Sequence, residues 1–218
     1  RLITSFGKYA YGENDDTAFC HMFADGEICL ENGMKFTCKT GYPYDFHIRY
    51  EIEKGGNLAI RIPAWSKTWQ IAVNGQILEA SLRKGYLYLP IADGDRVELT
   101  LDDTPRFQYA STKIPELTGK TALCCGPLVY CFEGIDNEDD VLSLSLKRSG
   151  NLTISAYDET LLCGSASISV DAMRCANIDG LYADTAPAMT PCKAIAIPYY
   201  TWGNRGENQM RVWMEETL

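Results

Sequence analysis

Two hydrophobic periods divide the chain. Leu2, Phe6, Tyr9 and Ala10 recur at helical spacing with Ile3 beside them, whereas from Thr17 onward apolar and polar residues alternate with a period of two. The spacing predicts one short helix from Arg1 to about Tyr11, ended by Gly12, Glu13 and Asn14, and a body made of strands. No capping residue precedes that helix, so its natural N-terminal context is expected to have been cut away.

The alternation is plainest at Phe46, Ile48, Tyr50 and Ile52, set between His47, Arg49, Glu51 and Glu53, a strand with one wet face. Asn32-Gly33 and Asn74-Gly75 supply the positive φ angles of tight hairpin turns, the first between runs 28–31 and 34–40. Runs 58–62, 69–73, 85–89 and 97–101 bring the count to about seven strands between Thr17 and Tyr109, which fits a sandwich. The loop Ser111–Gly119, containing Pro115, is the candidate domain boundary. Beyond it, Lys120–Glu133 is strongly apolar and broken only by Gly126 and Pro127, a strand bent by a bulge or leading to a second. Later strands are expected at 142–146, 152–157, 167–172 and 194–200, and the aromatic runs on either side of Gly203–Gly206 read as two more strands around a polar turn. The expected fold class is therefore all-β: a terminal helix at 1–16, then two antiparallel β-sandwich domains at 17–110 and 111–218.

At 218 residues there is room for two cores of about 100 residues each. No apolar run reaches transmembrane length, so no membrane partner is expected. Twenty basic against 29 acidic residues give a net charge of −9, which repels phosphate backbones and argues against nucleic acid. Nine cysteines, an odd number without metal-finger spacing, fit reduced structural thiols in a cytoplasmic protein.

Chemistry is hard to find in the residues themselves. His21 and His47 lie in separate strands and read as structural or solvated. The acidic loop Asp136–Asp140 lacks the glycine and distal glutamate of a calcium-binding loop and reads as a solvated turn. Adjacent Cys124 and Cys125 should point to opposite faces of a strand, so they are not expected to share a zinc. Trp65, Trp69, Trp202 and Trp213 suit core packing, with a sugar-stacking platform as the other reading.

Several segments, taken in order, resemble glycoside hydrolase family 127, the β-L-arabinofuranosidases. They are Arg61–Trp65, Val73-Asn74-Gly75, Gly85-Tyr86, Gly126–Cys131 and, most specifically, Ile197–Gly206. The resemblance implies that the parent enzyme removes terminal β-L-arabinofuranosyl residues from plant-type glycans with retention. It also implies that an upstream (α/α)6 barrel of the same polypeptide carries the nucleophilic cysteine, the acid/base glutamate and a zinc ion, and that the helix ending near Tyr11 is the last of that barrel. No catalytic or metal residue, and no cofactor, is then expected in this chain, and Cys124-Cys125 belong to a different family segment from the catalytic cysteines. Trp65, Tyr200, Trp202, Asn204 and Arg205 are the candidates for structural or interdomain roles. A homodimer is also kept open, and the alternative reading is a free-standing carbohydrate-binding or dimerisation module.

Overall fold

The computed structural model describes residues 2–217; Arg1, where the expected helix begins, and the side chains of Leu2 and Ile3 lie outside that description. The chain divides into two compact units, the first running to Asp103 and the second beginning at Thr104.

In the first unit the helical stretch is two four-residue pieces, α1 (Leu2–Ser5) and α2 (Gly7–Ala10). Tyr11, expected in the helix, already opens β1 (Tyr11–Glu13). Of the apolar face, Ala10 is buried while Phe6 and Tyr9 are exposed. Then come β2 (Thr17–Cys20), β3 (Gly26–Cys29), β4 (Lys35–Thr40), β5 (His47–Lys54) and β6 (Gly56–Arg61), followed by β7 (Trp69–Val73), β8 (Gln76–Leu78), β9 (Tyr86–Ile91) and β10 (Arg96–Leu101). They form a four-stranded sheet ordered β1-β2-β6-β9 and a six-stranded sheet ordered β3-β4-β5-β10-β7-β8. Asn74 and Gly75, with φ of 52° and 79°, make the tight turn between β7 and β8 that an Asn-Gly pair favours.

The alternation does its expected work here. Ala18, Cys20, Leu58, Ile60, Leu87 and Leu89 of the smaller sheet are buried, as are Phe36, Cys38, Ile48, Tyr50, Ile71, Val97 and Leu99 of the larger. Tyr11 meets Phe36 edge-on across the two sheets at 6.0 Å between ring centroids. The other face of the smaller sheet carries a row of four residues in register: Gly12 beside Phe19, Phe19 beside Ala59, Ala59 beside Tyr88.

The second unit holds β11 (Arg106–Tyr109), β12 (Lys120–Cys125), β13 (Leu128–Glu133), β14 (Leu144–Lys147) and β15 (Leu152–Ile154), then β16 (Ile168–Cys175), β17 (Met189–Pro198), β18 (Met210–Arg211) and β19 (Met214–Thr217). Its strands make one sheet of nine. The path β12-β19-β14-β16-β17-β13 returns to β12, because the start of β12 pairs with β19 and its end, Cys124 and Cys125, pairs with Val129 and Leu128. The result is a closed six-stranded barrel where two packed sheets were expected. Gly126 at φ 52° and Pro127 turn the chain within two residues, so β13 starts beside the end of β12 and then diverges to β17. Tyr130, Phe132, Leu144, Leu146, Ile168, Val170, Ala196 and Met214 fill the interior. Period-two alternation buries one face of a strand equally well in a sandwich or a barrel, which is why it does not separate them. Pairing is also not wholly antiparallel: β2 runs parallel to β6, and β14 parallel to β19.

Among the described residues no helix is long and apolar enough to cross a membrane.

Candidate functional site

The segment after β17 does not continue as a strand. Tyr199–Thr201 form one 3-10 turn, and the chain then loops through residues 202–209 before β18. Pro198 ends the ladder because it has no N–H to donate, and the Thr201 hydroxyl donates back to Pro198 O at 2.7 Å, closing the turn. Asn204 Nδ2 donates to Thr201 O at 2.9 Å, stabilising the next bend.

Arg205 then reaches back to the end of β13. Its Nη1 donates to Asp136 Oδ1 at 2.7 Å, its Nη2 donates to Asp136 Oδ2 and, at 2.6 Å, to Glu133 Oε2. Glu133 is fully buried, and its other oxygen accepts the Gly203 N–H at 2.7 Å. Burial pushes the Glu133 carboxyl up, but the Gly203 N–H and the Arg205 guanidinium outweigh it and hold the group below the usual carboxylate range. Arg205 in turn is held above its ordinary value, chiefly by its hydrogen bond to Asp136.

The backbone joins the same structure. Gly134 N donates to Gln209 O at 2.9 Å and to Asn208 Oδ1 at 3.0 Å, and Val141 N donates to Gln209 Oε1 at 3.1 Å. Buried Asn137 donates through Nδ2 to Glu133 O (2.7 Å) and Ile195 O (2.9 Å) and accepts from Ile195 N (3.0 Å). The loop Asp136–Asp140, expected to be a solvated turn, is instead half of a clamp: Asp136 grips Arg205, Asn137 ties β13 to β17, and Asp140 Oδ1 accepts from Ser143 N. Asp136 and Asp140 are engaged by guanidinium and backbone donors, while Glu138 and Asp139 are exposed. Glu133 and Asn137 carry this clamp and were missed in the sequence, where no local signal marks them: Glu133 simply follows the buried run Tyr130–Phe132.

Of the residues singled out from the sequence, Tyr200, Trp202, Asn204 and Arg205 share this turn, while Trp65 lies in the first unit. There Trp65 is half-buried and edge-on to Phe46 at 5.7 Å, in an aromatic cluster that continues through Tyr42 to Phe23. Core packing, expected for the tryptophans, does not describe the turn: Tyr199, Tyr200 and Trp202 are 45%, 59% and 46% exposed, and Tyr199 and Trp202 stack on each other at 6.4 Å. The Pro198 turn reverses the chain at the rim of the barrel, so the strand alternation that would have put Trp202 inside has already stopped.

The geometry fixes a turn and presents rings outward. Among the described residues, no group of three or more His, Cys, Asp or Glu is gathered to hold a metal ion. Cys124 and Cys125 are both buried, and burial pushes the Cys124 thiol up. Cys131, on the strand that ends at Glu133, is pushed up to about 12, first by burial and then by the Glu133 charge. A thiol so placed stays protonated near neutral pH. His21 donates or accepts at Nδ1 with Tyr86 Oη at 2.7 Å, and burial followed by the Arg61 charge lowers its pKa. His47 lies 3.9 Å from Glu98.

The profile of the glycoside hydrolase family 127 C-terminal domain matches residues 105–215, and that of the β-L-arabinofuranosidase GH127 middle domain matches residues 17–103. A non-reducing end β-L-arabinofuranosidase from Bifidobacterium longum subsp. longum is 32% identical over 98% of this chain and 35% of its own length. The crystal structure of a GH127 β-L-arabinofuranosidase from Geobacillus stearothermophilus T6 superposes with a TM-score of 0.92 at 31% identity, covering 99% of this chain and 36% of that one. A second GH127 β-arabinofuranosidase structure gives 0.88 at 27% identity, covering 100% and 37%. The chain thus spans about a third of the length of these relatives.

Proposed function

Because the chain belongs to glycoside hydrolase family 127, we propose that it is the non-catalytic β region of a glycosidase whose whole polypeptide removes terminal β-L-arabinofuranosyl residues from plant-type glycans with retention. The observation that carries this reading is that the two matched profiles are a middle and a C-terminal domain, laid end to end over residues 17–103 and 105–215. In this reading α1 and α2 are the end of an (α/α)6 catalytic barrel, the two sheets of the first unit form a sandwich, and the nucleophilic cysteine, the acid/base glutamate and a zinc ion lie upstream of this chain. Retention needs a nucleophile under the anomeric carbon and a proton donor at the leaving oxygen, both held by one rigid site. The β region supplies architecture to that site.

The turn Tyr199–Arg205 takes an interdomain role in the same proposal. The clamp on Glu133 and Asp136 holds Tyr199, Tyr200 and Trp202 outward, where they offer ring area at little entropic cost to a neighbouring domain.

An aryl β-L-arabinofuranoside assay on this chain and on the full-length enzyme at equal concentration tests the division of labour. Turnover is expected from the full-length enzyme only. Turnover by the pure fragment, lost on changing Cys124 or Cys125, refutes it. For the turn, Trp202→Ala should cost this chain under about 1 kcal/mol, as exposed substitutions do, and cost the full-length enzyme more. Equal costs in the two proteins remove the interdomain role.

A further inference from the structure

The row Gly12, Phe19, Ala59, Tyr88 on the open face of the four-stranded sheet has a consequence for binding. Ala59 is small and fully buried, and Phe19 and Tyr88 close over it edge-to-face at 6.3 Å. One pairing step along, Thr17, Asn57 and Pro90 stand side by side in place of rings. The face therefore drops from an aromatic wall into a depression of about 400 Å³, lined by Phe19, Tyr88, Asn57, Asp16, Asn14 and Arg83 among others. That volume is at the small end of ligand sites, enough for one small ring.

Its polar groups are only partly engaged: Asp16 Oδ1 accepts the Thr17 hydroxyl at 2.8 Å, and a carboxylate oxygen has a second lone pair to offer. Asn57 Nδ2 reaches Asp16 Oδ2 only at 3.4 Å, a long bond that a ligand hydroxyl can replace with two shorter ones. Asn14 Oδ1 accepts from the Thr17 and Asp16 N–H groups at 2.9 and 3.3 Å, which fixes its side chain and leaves its amide NH2 to serve a ligand. The Arg83 guanidinium lies over the Tyr88 ring, 4.1 Å from its centre. The wall itself is braced from behind. Phe19 stacks on His21 at 6.0 Å, His21 is hydrogen-bonded to Tyr86, and Phe19 meets Tyr86 edge-on. Gly12 leaves the space under His21, since a Cβ there would come within 2.7 Å of Nε2.

We propose that this depression is a binding subsite for a single neutral sugar ring: Phe19 and Tyr88 take the C–H surface of the ring, while Asp16, Asn57 and Arg83 take its hydroxyls. A neutral polyol fits because the site mixes one carboxylate with one guanidinium and two amides, so neither charge sign dominates, and because an aromatic wall beside donors and acceptors matches a ring with apolar faces and polar edges. Choosing an arabinofuranoside as the first probe rests on the glycosidase reading; the site does not.

Titration of methyl β-L-arabinofuranoside into this chain, followed by 1H–15N NMR of the Asn57, Asn14 and Arg83 side chains, tests the proposal. Saturable shifts are expected with Kd on the order of 1 mM, given the few atoms such a ligand can bury. Asn57→Ala and Tyr88→Ala should each weaken binding about tenfold or more, whereas Lys193→Ala should not. Thermal unfolding checks that Tyr88→Ala still folds, and Asn57→Ala keeps the test open if it does not. Saturable binding of D-xylose or D-galactose in place of the furanoside supports the subsite and counts against arabinofuranose as its ligand. Absence of saturable shifts with all three sugars overturns the subsite, and it leaves the family activity untouched if the full-length enzyme still turns over the aryl substrate.

Discussion

Replacing Arg205 by alanine strips a buried carboxylate of its cation. Glu133 is wholly inaccessible and would keep the Gly203 N–H, while its 2.6 Å partner would be gone. Breaking a buried pair from one side costs about 3–5 kcal/mol. Because the Arg205 side chain is 23% exposed and Asp136 is 20% exposed, water can enter the vacated space, so the lower end, about 3 kcal/mol, applies. For a chain of this size that is a fall in Tm of roughly 6–12 °C. Glu133→Gln keeps an acceptor for Gly203 and loses the charge, so it should cost less, about 1–2 kcal/mol. The double variant should cost less than the sum by about 1 kcal/mol or more.

The pH dependence has a definite sign. The folded Glu133 carboxyl is held below its ordinary value, so its stabilisation is present above the unfolded pKa of about 4.3 and is lost as pH falls through the folded value. In Arg205→Ala the same buried carboxyl rises, and protonating it relieves the unpaired charge. The stability gap between wild type and Arg205→Ala should therefore narrow as the pH drops from 7 to below 4. Urea unfolding at a series of pH values reads this directly. A gap that stays constant with pH, or a variant that melts within about 1 °C of wild type at pH 7, refutes the clamp as an electrostatic element.

Two further outcomes can be checked quickly. With a thiol reagent under native conditions, exposed Cys29 and Cys163 should react promptly, while buried Cys20, Cys38, Cys124, Cys125 and Cys131 react only after denaturation; fast native labelling of the buried five contradicts the packing. Gly12→Ala places a methyl 2.7 Å from His21 Nε2, so it should displace His21 from Tyr86 and lower stability by about 1–3 kcal/mol, read as a lower urea midpoint; an unchanged midpoint and an unmoved His21 signal show that the ring is not seated as described.

Strands were legible wherever one face is wet and the other buried. The alternation around His47 to Glu53 became β5 (His47–Lys54), 69–73 became β7, and the Asn-Gly pair at 74–75 became its turn. What the sequence could not show was closure, because the pairing of Cys124 and Cys125 with Val129 and Leu128 adds no signature to either run beyond the Gly126-Pro127 turn. The candidate turn was half legible. Its aromatic and polar residues stand out by composition, but their exposure depends on Pro198 ending the strand, and a run rich in rings looks the same buried or presented. Glu133 and Asn137 were invisible for a different reason. A buried polar residue is tolerated only when distant donors and acceptors meet it, and Glu133 finds its partners about 70 positions away at Gly203 and Arg205.

A sheet that runs back into itself has no first strand to peel. In the first unit, β1, β9, β3 and β8 each leave a rim of backbone N–H and C=O groups where an unfolding event or an intruding strand can begin. In the second, the six strands of the ring are flanked on both sides or partly covered by β11, β15 and β18, so loss of one opens two neighbours at once. Unfolding there has no cheap first step, and amide protons of β12, β14 and β16 should exchange together, through one event, rather than one strand at a time.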